Sequence, residues 1–363
     1  MNTTVPILDI RDLQVKRGGV GVLDIPALDI REGEVLSLIG PNGAGKSSLL
    51  LVLACLLPRR QGTLHFRGAT VASGNSALAY RRKTAMVFQE PLLFDATVRD
   101  NVAAGLKLRN LSHADILKIV PACLERFGIG HLSGRHARKL SGGEAQRTSL
   151  ARAFAIQPEI IFLDEPFSSL DPPTRDGLID DLQRILRETG TTAVMATHDR
   201  NEALRLSDRV AVMREGGIVQ IGAPEAIMNQ PRDEFVASFV GVETILSGEI
   251  VKAGSGTVIV HVPGGDIEAV GAMKTGDRVV CCIRPEQVTL STGASQEGVS
   301  ARNNFEGKIV RIAPMGLFCK VSLDCGFFLT AYVTVPSVEN LTLQEGQSIF
   351  ASFKATAVHL IRK

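Results

Sequence analysis

GPNGAGKSS, Gly40 to Ser48, decides the fold. It fits G-x-x-x-x-G-K-[ST] and stands between EVLSLIG, an apolar run of strand length, and SSLLLVLACLL, which reads as a buried helix. A strand, a glycine-rich turn and a helix in that order turn backbone N–H groups inward onto phosphate oxygens. Gly40, Pro41, Asn42, Gly43, Ala44 and Gly45, with Lys46, Ser47 and Ser48, are the expected cradle of a nucleoside triphosphate. Lys46 adds a point charge at the β- and γ-phosphates, and the Ser47 hydroxyl is placed for Mg²⁺.

Working outward, IIFLDEP (Ile160 to Pro166) is a buried strand from whose carboxyl end Asp164 and Glu165 emerge. Asp164 is the expected metal-side carboxylate, and Glu165 the group that orients or deprotonates an attacking water. TAVMATH is a further apolar run, and RDGLIDDLQRILRETG before it is an amphipathic helix closed by Gly190. Strand and helix alternate from about residue 7 to 240, which predicts an α/β layer with a parallel sheet. The 363 residues exceed one typical core, so two domains are expected, 1–240 and 241–363. An apolar share of 45% with 21% charged residues is that of an ordinary globular protein. A net charge of +2 argues against a nucleic-acid partner. The longest apolar run, Leu49 to Leu57, falls far short of the roughly 20 residues that cross a bilayer, and the opening MNTTVPILDIRDL lacks a secretory pattern. Six cysteines without a C-x-x-C pair read as reduced thiols, Cys281 and Cys282 pointing to opposite faces of a strand.

KLSGGEAQ, Lys139 to Gln146, poses a separate question. Ser141 and Glu144 have the spacing of a capping box. Capping alone does not call for Gly142 and Gly143, because glycine costs about 1 kcal/mol in a helix. The pair predicts a close approach by something anionic.

Phosphate loop, VFQEP with Gln89, LSGGEAQ, IIFLDEP, SSLD ending at Asp171 and ATHD with His198 occur in one order. Together they resemble the ATP-binding cassette family over residues 7 to 240. The resemblance implies a P-loop cassette with a mostly parallel sheet and a helical subdomain at about 90–155. It also implies a head-to-tail homodimer in which Ser141, Gly142 and Gly143 of one copy face the γ-phosphate held by the other. Gln89 then reaches Mg²⁺ and water, His198 the γ-phosphate, and Asp171 the dimer seam. The family usually stacks an aromatic ring on adenine. The corresponding place here falls near Arg17 in VKRGGVG, so a guanidinium stack with relaxed base selectivity is expected. No membrane span is fused to the cassette, so the resemblance implies separate permease subunits at the cytoplasmic face of the inner membrane and, beyond them, an extracytoplasmic binding protein. EPLLFDATVRDNVAAGL (Glu90 to Leu106) is the stretch expected to receive a permease helix.

After Phe239 short alternating β runs take over. GDRVVCCIRPEQVTL (from Gly276) and GQSIFASFKATAVHL (from Gly346) align without gaps, and GEIV at Gly248 is echoed by GKIV at Gly307. Two related β modules, about 245–292 and 300–363, are expected, as an all-β, OB-like region. SARNNFEGKIV, TVPSVENLTLQEG and FKATAVHLI resemble the small module of molybdate-binding proteins, appended to molybdate and tungstate importer ATPases. Ser300, Arg302, Thr334, Ser337, Lys354 and Thr356 are the candidate oxyanion ligands. The first module is closer to a general importer form, which leaves sulfate, ferric iron, polyamine or sugar as alternative cargos. An oxyanion sensor or a soluble, non-transport cassette is the alternative from another class.

Overall fold

The structure, a computed structural model, describes residues 6–59, 61–293 and 300–363. It divides into two compact units between Glu225 and Ala226. In chain order the first unit runs β1 (Leu8–Arg17), β2 (Val20–Ile30), β3 (Val35–Ile39), α1 (Lys46–Leu53), β4 (Gln61–Phe66), β5 (Ala69–Thr70), α2 (Asn75–Arg81), β6 (Thr84–Val87), α3 (Val98–Leu108), α4 (His113–Arg126), α5 (Gly142–Ala155), β7 (Ile160–Asp164), α6 (Pro172–Thr189), β8 (Thr192–Thr197), α7 (Arg200–Leu206), β9 (Arg209–Arg214) and β10 (Gly217–Gly222).

Its main sheet has the order β10-β9-β3-β8-β7-β6, parallel except for β10 at one edge. The runs VLSLI, IIFLD and TAVMAT are apolar because both faces of this sheet are covered. Side chains alternate between two cores. Ile161, Leu163, Ala193 and Met195 pack with α3 to α6, while Ile160, Phe162, Val194 and Ala196 pack with α1 and an antiparallel layer, β2-β1-β4-β5.

Two boundaries differ from the sequence reading. Helix α1 ends at Leu53 instead of running through Leu57. The Leu56 amide reaches back to the Leu51 carbonyl at 2.8 Å with Cys55 at φ 54°, a helix-ending turn that leaves Leu56 half exposed. The division into units also falls before residue 240. Residues 226–240 belong with the β unit because Arg284 donates to the Met228 carbonyl, His359 contacts the Pro231 carbonyl at 3.0 Å, and Lys363 pairs with Glu234 at 3.1 Å.

In the second unit, α8 (Pro224–Asn229, starting just before it) and α9 (Glu234–Phe239) precede β11 (Thr244–Ala253), β12 (Thr257–Val262), β13 (Gly265–Val270), β14 (Arg278–Ile283) and β15 (Thr289–Ser291). β16 (Asn303–Pro314), β17 (Phe318–Asp324), β18 (Phe328–Thr334), α10 (Val335–Asn340), β19 (Ser348–Phe353) and β20 (Val358–Arg362) follow. The sheets are β13-β12-β11-β14-β20 and β15-β19-β16-β17-β18. The same order of strands is thus drawn twice, and each series gives its last strand to the other's sheet. A 3₁₀ turn makes each crossing, Pro285–Gln287 in the first series and Ala355–Ala357 in the second. The Asn303 side chain adds a strand-like pair across the two, accepting from the Glu268 amide at 2.7 Å and donating to its carbonyl at 2.9 Å. One core serves both sheets, from Ile250 through Phe353 to Val358. All six cysteines are free thiols, and burial pushes the Cys281 and Cys282 thiols up to about 12.

Deleting residues 358–363 therefore removes β14's neighbour as well as a strand of the second series. Calorimetry should show the β unit's unfolding transition lost as a whole, with nucleotide binding by the first unit retained. A residual transition from either sheet alone would show that the exchange does not couple them.

Candidate functional site

The carboxyl ends of β3, β6, β7 and β8 lie along one edge of the parallel sheet, where such sheets bind ligands. From Ile39 the chain turns at once through Gly40–Gly45 into α1. Gly45 has φ +99°, and a Cβ there would stand 2.8 Å from the Leu23 side chain, so glycine is required. Lys46 is 6% exposed, and its ammonium donates to the Gly40 and Pro41 carbonyls at 2.7 and 3.1 Å. Burial pushes its pKa below the ordinary lysine value, against the pull of the Glu165 and Asp164 carboxylates.

Asp164 closes β7, and its carboxylate accepts the Ser47 hydroxyl at 2.9 Å. Burial raises its pKa, and the Ser47 hydrogen bond opposes this. Glu165 follows at φ 45°, a left-handed conformation that costs about 1–2 kcal/mol. Its amide is tied to the Ala196 carbonyl at 2.9 Å, and its carboxylate meets His198 Nδ1 at 3.1 Å. A cleft of about 560 Å³ gathers Arg17, Val22, Asn42, Gly43, Ala44, Gly45, Lys46, Ser47, Ser48, Gln89 and Glu165. The residues assigned from sequence to the triphosphate thus meet in one place, with Asp164 joined through Ser47 and His198 through Glu165. Val22 escaped the sequence reading; its only signal was its position in a hairpin beside Arg17.

Ser141, Gly142, Gly143 and Asp171 line a different cleft, of about 310 Å³, together with Ser169, Leu170 and Thr174. Ser141 caps α5 in a complete capping box with Glu144. The close approach predicted for the glycine pair has two answers. A Cβ at Gly143 would lie 2.6 Å from Thr174 Cγ2, so packing within the chain accounts for this glycine. At Gly142 the nearest atom would be 3.9 Å away, and this residue faces the open cleft. Asp171 caps α6, and the Thr174 hydroxyl and amide hold its carboxyl below the usual range.

The six candidate oxyanion residues do not converge within the chain. Ser300 and Lys354 line one cavity, which also contains the Glu286 carboxylate, unfavourable to an anion. Thr356 lines another, with Arg284 and His359. Thr334 caps α10 and shares a hydrogen bond with Ser337 at 2.8 Å, and Arg302 is exposed.

Comparison with known proteins now fits this geometry. Residues 23–168 match the family model described as ABC transporter, and residues 299–360 match the TOBE domain. The molybdate/tungstate import ATP-binding protein WtpC of Pyrococcus horikoshii is 37% identical over 342 residues, 92% of this chain and 94% of that protein. The chain belongs to the ABC transporter family. It is an ATPase of that family, with the P-loop cassette fold followed by a TOBE β domain. The sulfate/thiosulfate import ATP-binding protein CysA of Nocardia farcinica is 34% identical over 95% of this chain and 97% of its own length. Among solved structures, cbiO1 of Clostridium perfringens, part of the transporter complex cbiONQ, has a TM-score of 0.59 at 29% identity, over 66% of this chain and 95% of that one. The dimeric post-hydrolysis state of the ATP-binding cassette MJ0796, bound to ADP and phosphate, has a TM-score of 0.55 at 28% identity, over 60% and 98%.

Two outcomes follow from these contacts. Gly143→Ala should destabilise the cassette by about 1–3 kcal/mol through overpacking against Thr174, and Thr174→Ser should recover part of this in a denaturant titration. With Arg17 in place of an aromatic ring, ATP and GTP should bind within about threefold of each other, because a guanidinium stacks on either purine. ATP binding much tighter than GTP binding would contradict that role for Arg17.

Proposed function

We propose that the chain is the ATP-hydrolysing subunit of an importer for a tetrahedral oxyanion, molybdate or tungstate, working as a head-to-tail homodimer beneath membrane permease subunits. One observation carries the dimer: the phosphate loop and the Ser141–Gly143 helix start line two clefts that have no lining residue in common. An ATP in the first cleft of one copy is completed by the second cleft of another. There the amides at the start of α5 and the helix dipole behind them meet the γ-phosphate.

The oxygen donors Ser47, Gln89 and Asp164 suit Mg²⁺, and Ser47 and Asp164 already touch. Among the described residues no group of three or more His, Cys, Asp or Glu side chains could hold a metal, and Ser47, Gln89 and Asp164 would hold Mg²⁺ beside a bound nucleotide. A Mg²⁺ held by these residues would supply positive charge against that building on the phosphates. Lys46 sets a positive charge beside the β- and γ-phosphates. Glu165, whose backbone amide at the end of β7 donates to the Ala196 carbonyl, takes the attacking water's proton on its carboxylate. His198, engaged at Nδ1 by Glu165, keeps Nε2 for the γ-phosphate, and Asp171 stands at the seam between copies.

Leu92 and Phe94 support the permease contact. They are 58% and 56% exposed, and Arg152 braces both, donating to the Leu92 carbonyl at 3.0 Å and lying 5.6 Å over the Phe94 ring. Such a rigid apolar projection suits an amphipathic helix of a permease. Among the described residues no helix is long and apolar enough to cross a membrane, which fits a peripheral subunit at the cytoplasmic face. An extracytoplasmic binding protein delivers the cargo. The names of several relatives, molybdate/tungstate import ATP-binding proteins, support the oxyanion. Cytoplasmic oxyanion captured between β units of two copies is the regulatory extension of this reading.

Uptake of labelled molybdate, tungstate and sulfate, with the cognate permease, tests the cargo. The first two should accumulate in an ATP-dependent manner, and Glu165→Gln should keep ATP binding while turnover falls about 10²-fold or more. Uptake of sulfate alone would reassign the cargo. Millimolar molybdate should lower ATPase activity if the regulatory extension holds, and unchanged activity would remove it.

A further inference from the structure

His198 sits in a bend between β8 and α7, with its side chain 57% exposed and its Nδ1 against the Glu165 carboxylate. Its direction therefore depends on how its two neighbours are held. Thr197 is 1% exposed, and its hydroxyl oxygen accepts the Asp199 amide at 3.0 Å while its proton goes to the Glu202 carboxylate. Asp199 uses its two oxygens for different ends. Oδ1 accepts the Asn201 and Glu202 amides at 2.7 and 3.4 Å, capping α7, and Oδ2 accepts the Arg175 guanidinium at 3.1 Å.

Helix capping accounts for Oδ1 and for nothing else in this set. Asp199 and Glu202 have the spacing of a capping box, yet the Glu202 side chain does not close one: the Asp199 amide it would take goes to Thr197. Glu202 is instead a carboxyl only 4% exposed, and burial raises its pKa. A fold seldom buries such a group without a partner it must hold. Arg175, on the other side, belongs to the first turn of α6, its amide bonded to the carbonyl of the cap residue Asp171. The Arg175–Asp199 pair is partly shielded, with side chains 35% and 22% exposed.

We propose that Arg175, through Asp199 and with Thr197 and Glu202 behind it, is a positioning residue that fixes His198 relative to the start of α6. It lines neither the phosphate-loop cleft nor the cleft at the start of α5. It makes the reach of His198 depend on where the Asp171 end of α6 stands, so that the histidine is aimed when that end is seated. The proposal rests on the assignment of His198 to the γ-phosphate, and the test separates the two.

Steady-state ATP hydrolysis by the full chain, with kcat and KM resolved, is measured for Arg175→Ala, Arg175→Lys, His198→Ala and the Arg175→Ala/His198→Ala double variant, beside thermal unfolding. Arg175→Ala should lower kcat roughly tenfold or more with KM changed by less than about threefold. Arg175→Lys should restore most of that loss, since a cation is kept. In the His198→Ala background Arg175→Ala should cost nothing further, because a brace with nothing to aim is silent. Additive losses, or a loss confined to KM or to the melting temperature, would overturn the proposal. If Arg175→Ala does not fold, Asp199→Asn reads the same pair while keeping a capping oxygen, and failure of both to fold makes the contact structural. His198→Ala at full kcat removes the parent assignment along with this one; His198→Ala inactive beside a fully active Arg175→Ala removes this one alone.

Discussion

Parallel pairing of β3 with β8, and of β8 with β7, is the constraint from which the catalytic side follows. Parallel strands place their carboxyl ends at the same edge, so the residues that leave those ends become neighbours although they are far apart in sequence. Ser47 and Asp164 meet for this reason, and so do Glu165 and His198. Ile39, Leu163 and Ala196 are nearly or fully inaccessible and lock the strands behind both contacts.

Left-handed residues occur through the chain, as at Asp12, Asn110 and Gln157, and two of them bear on function. Glu165 is held left-handed by an amide bond to the next strand, and Leu92, in the segment after Gln89, is also left-handed, at φ 44°. Leu92 is 58% exposed, and the Glu165 carboxylate is turned to His198. Elsewhere in the cassette the buried positions follow the alternation of the strands and the apolar faces of the helices.

Much of this was legible in the sequence, and the exceptions have physical causes. The runs VLSLI and IIFLD announce a doubly covered sheet because no polar residue interrupts them beyond Ser37 and the terminal Asp164. Gly190 marks the end of α6 because only its left-handed φ of 62° closes the helix there. The helix after the phosphate loop was overextended because Cys55 gives no local sign of adopting a left-handed turn. At Gly143 the spacing along the helix gives no sign of Thr174, thirty-one residues on, whose Cγ2 a Cβ there would meet. Contacts of that kind depend on tertiary approach, which spacing along one strand or helix does not report. The oxyanion set shows the same limit: six polar residues matched a pattern, yet local capping claims Thr334 and Ser337, and a nearby carboxylate offsets Lys354.

The traded final strands of the β unit bear on how the polypeptide is made. β14 finds its outer neighbour, β20, only after every strand of the later series has left the ribosome. Until then Val279 to Ile283 present one unpaired edge of a largely apolar strand, a natural client for chaperones and a template for pairing with a sibling nascent chain.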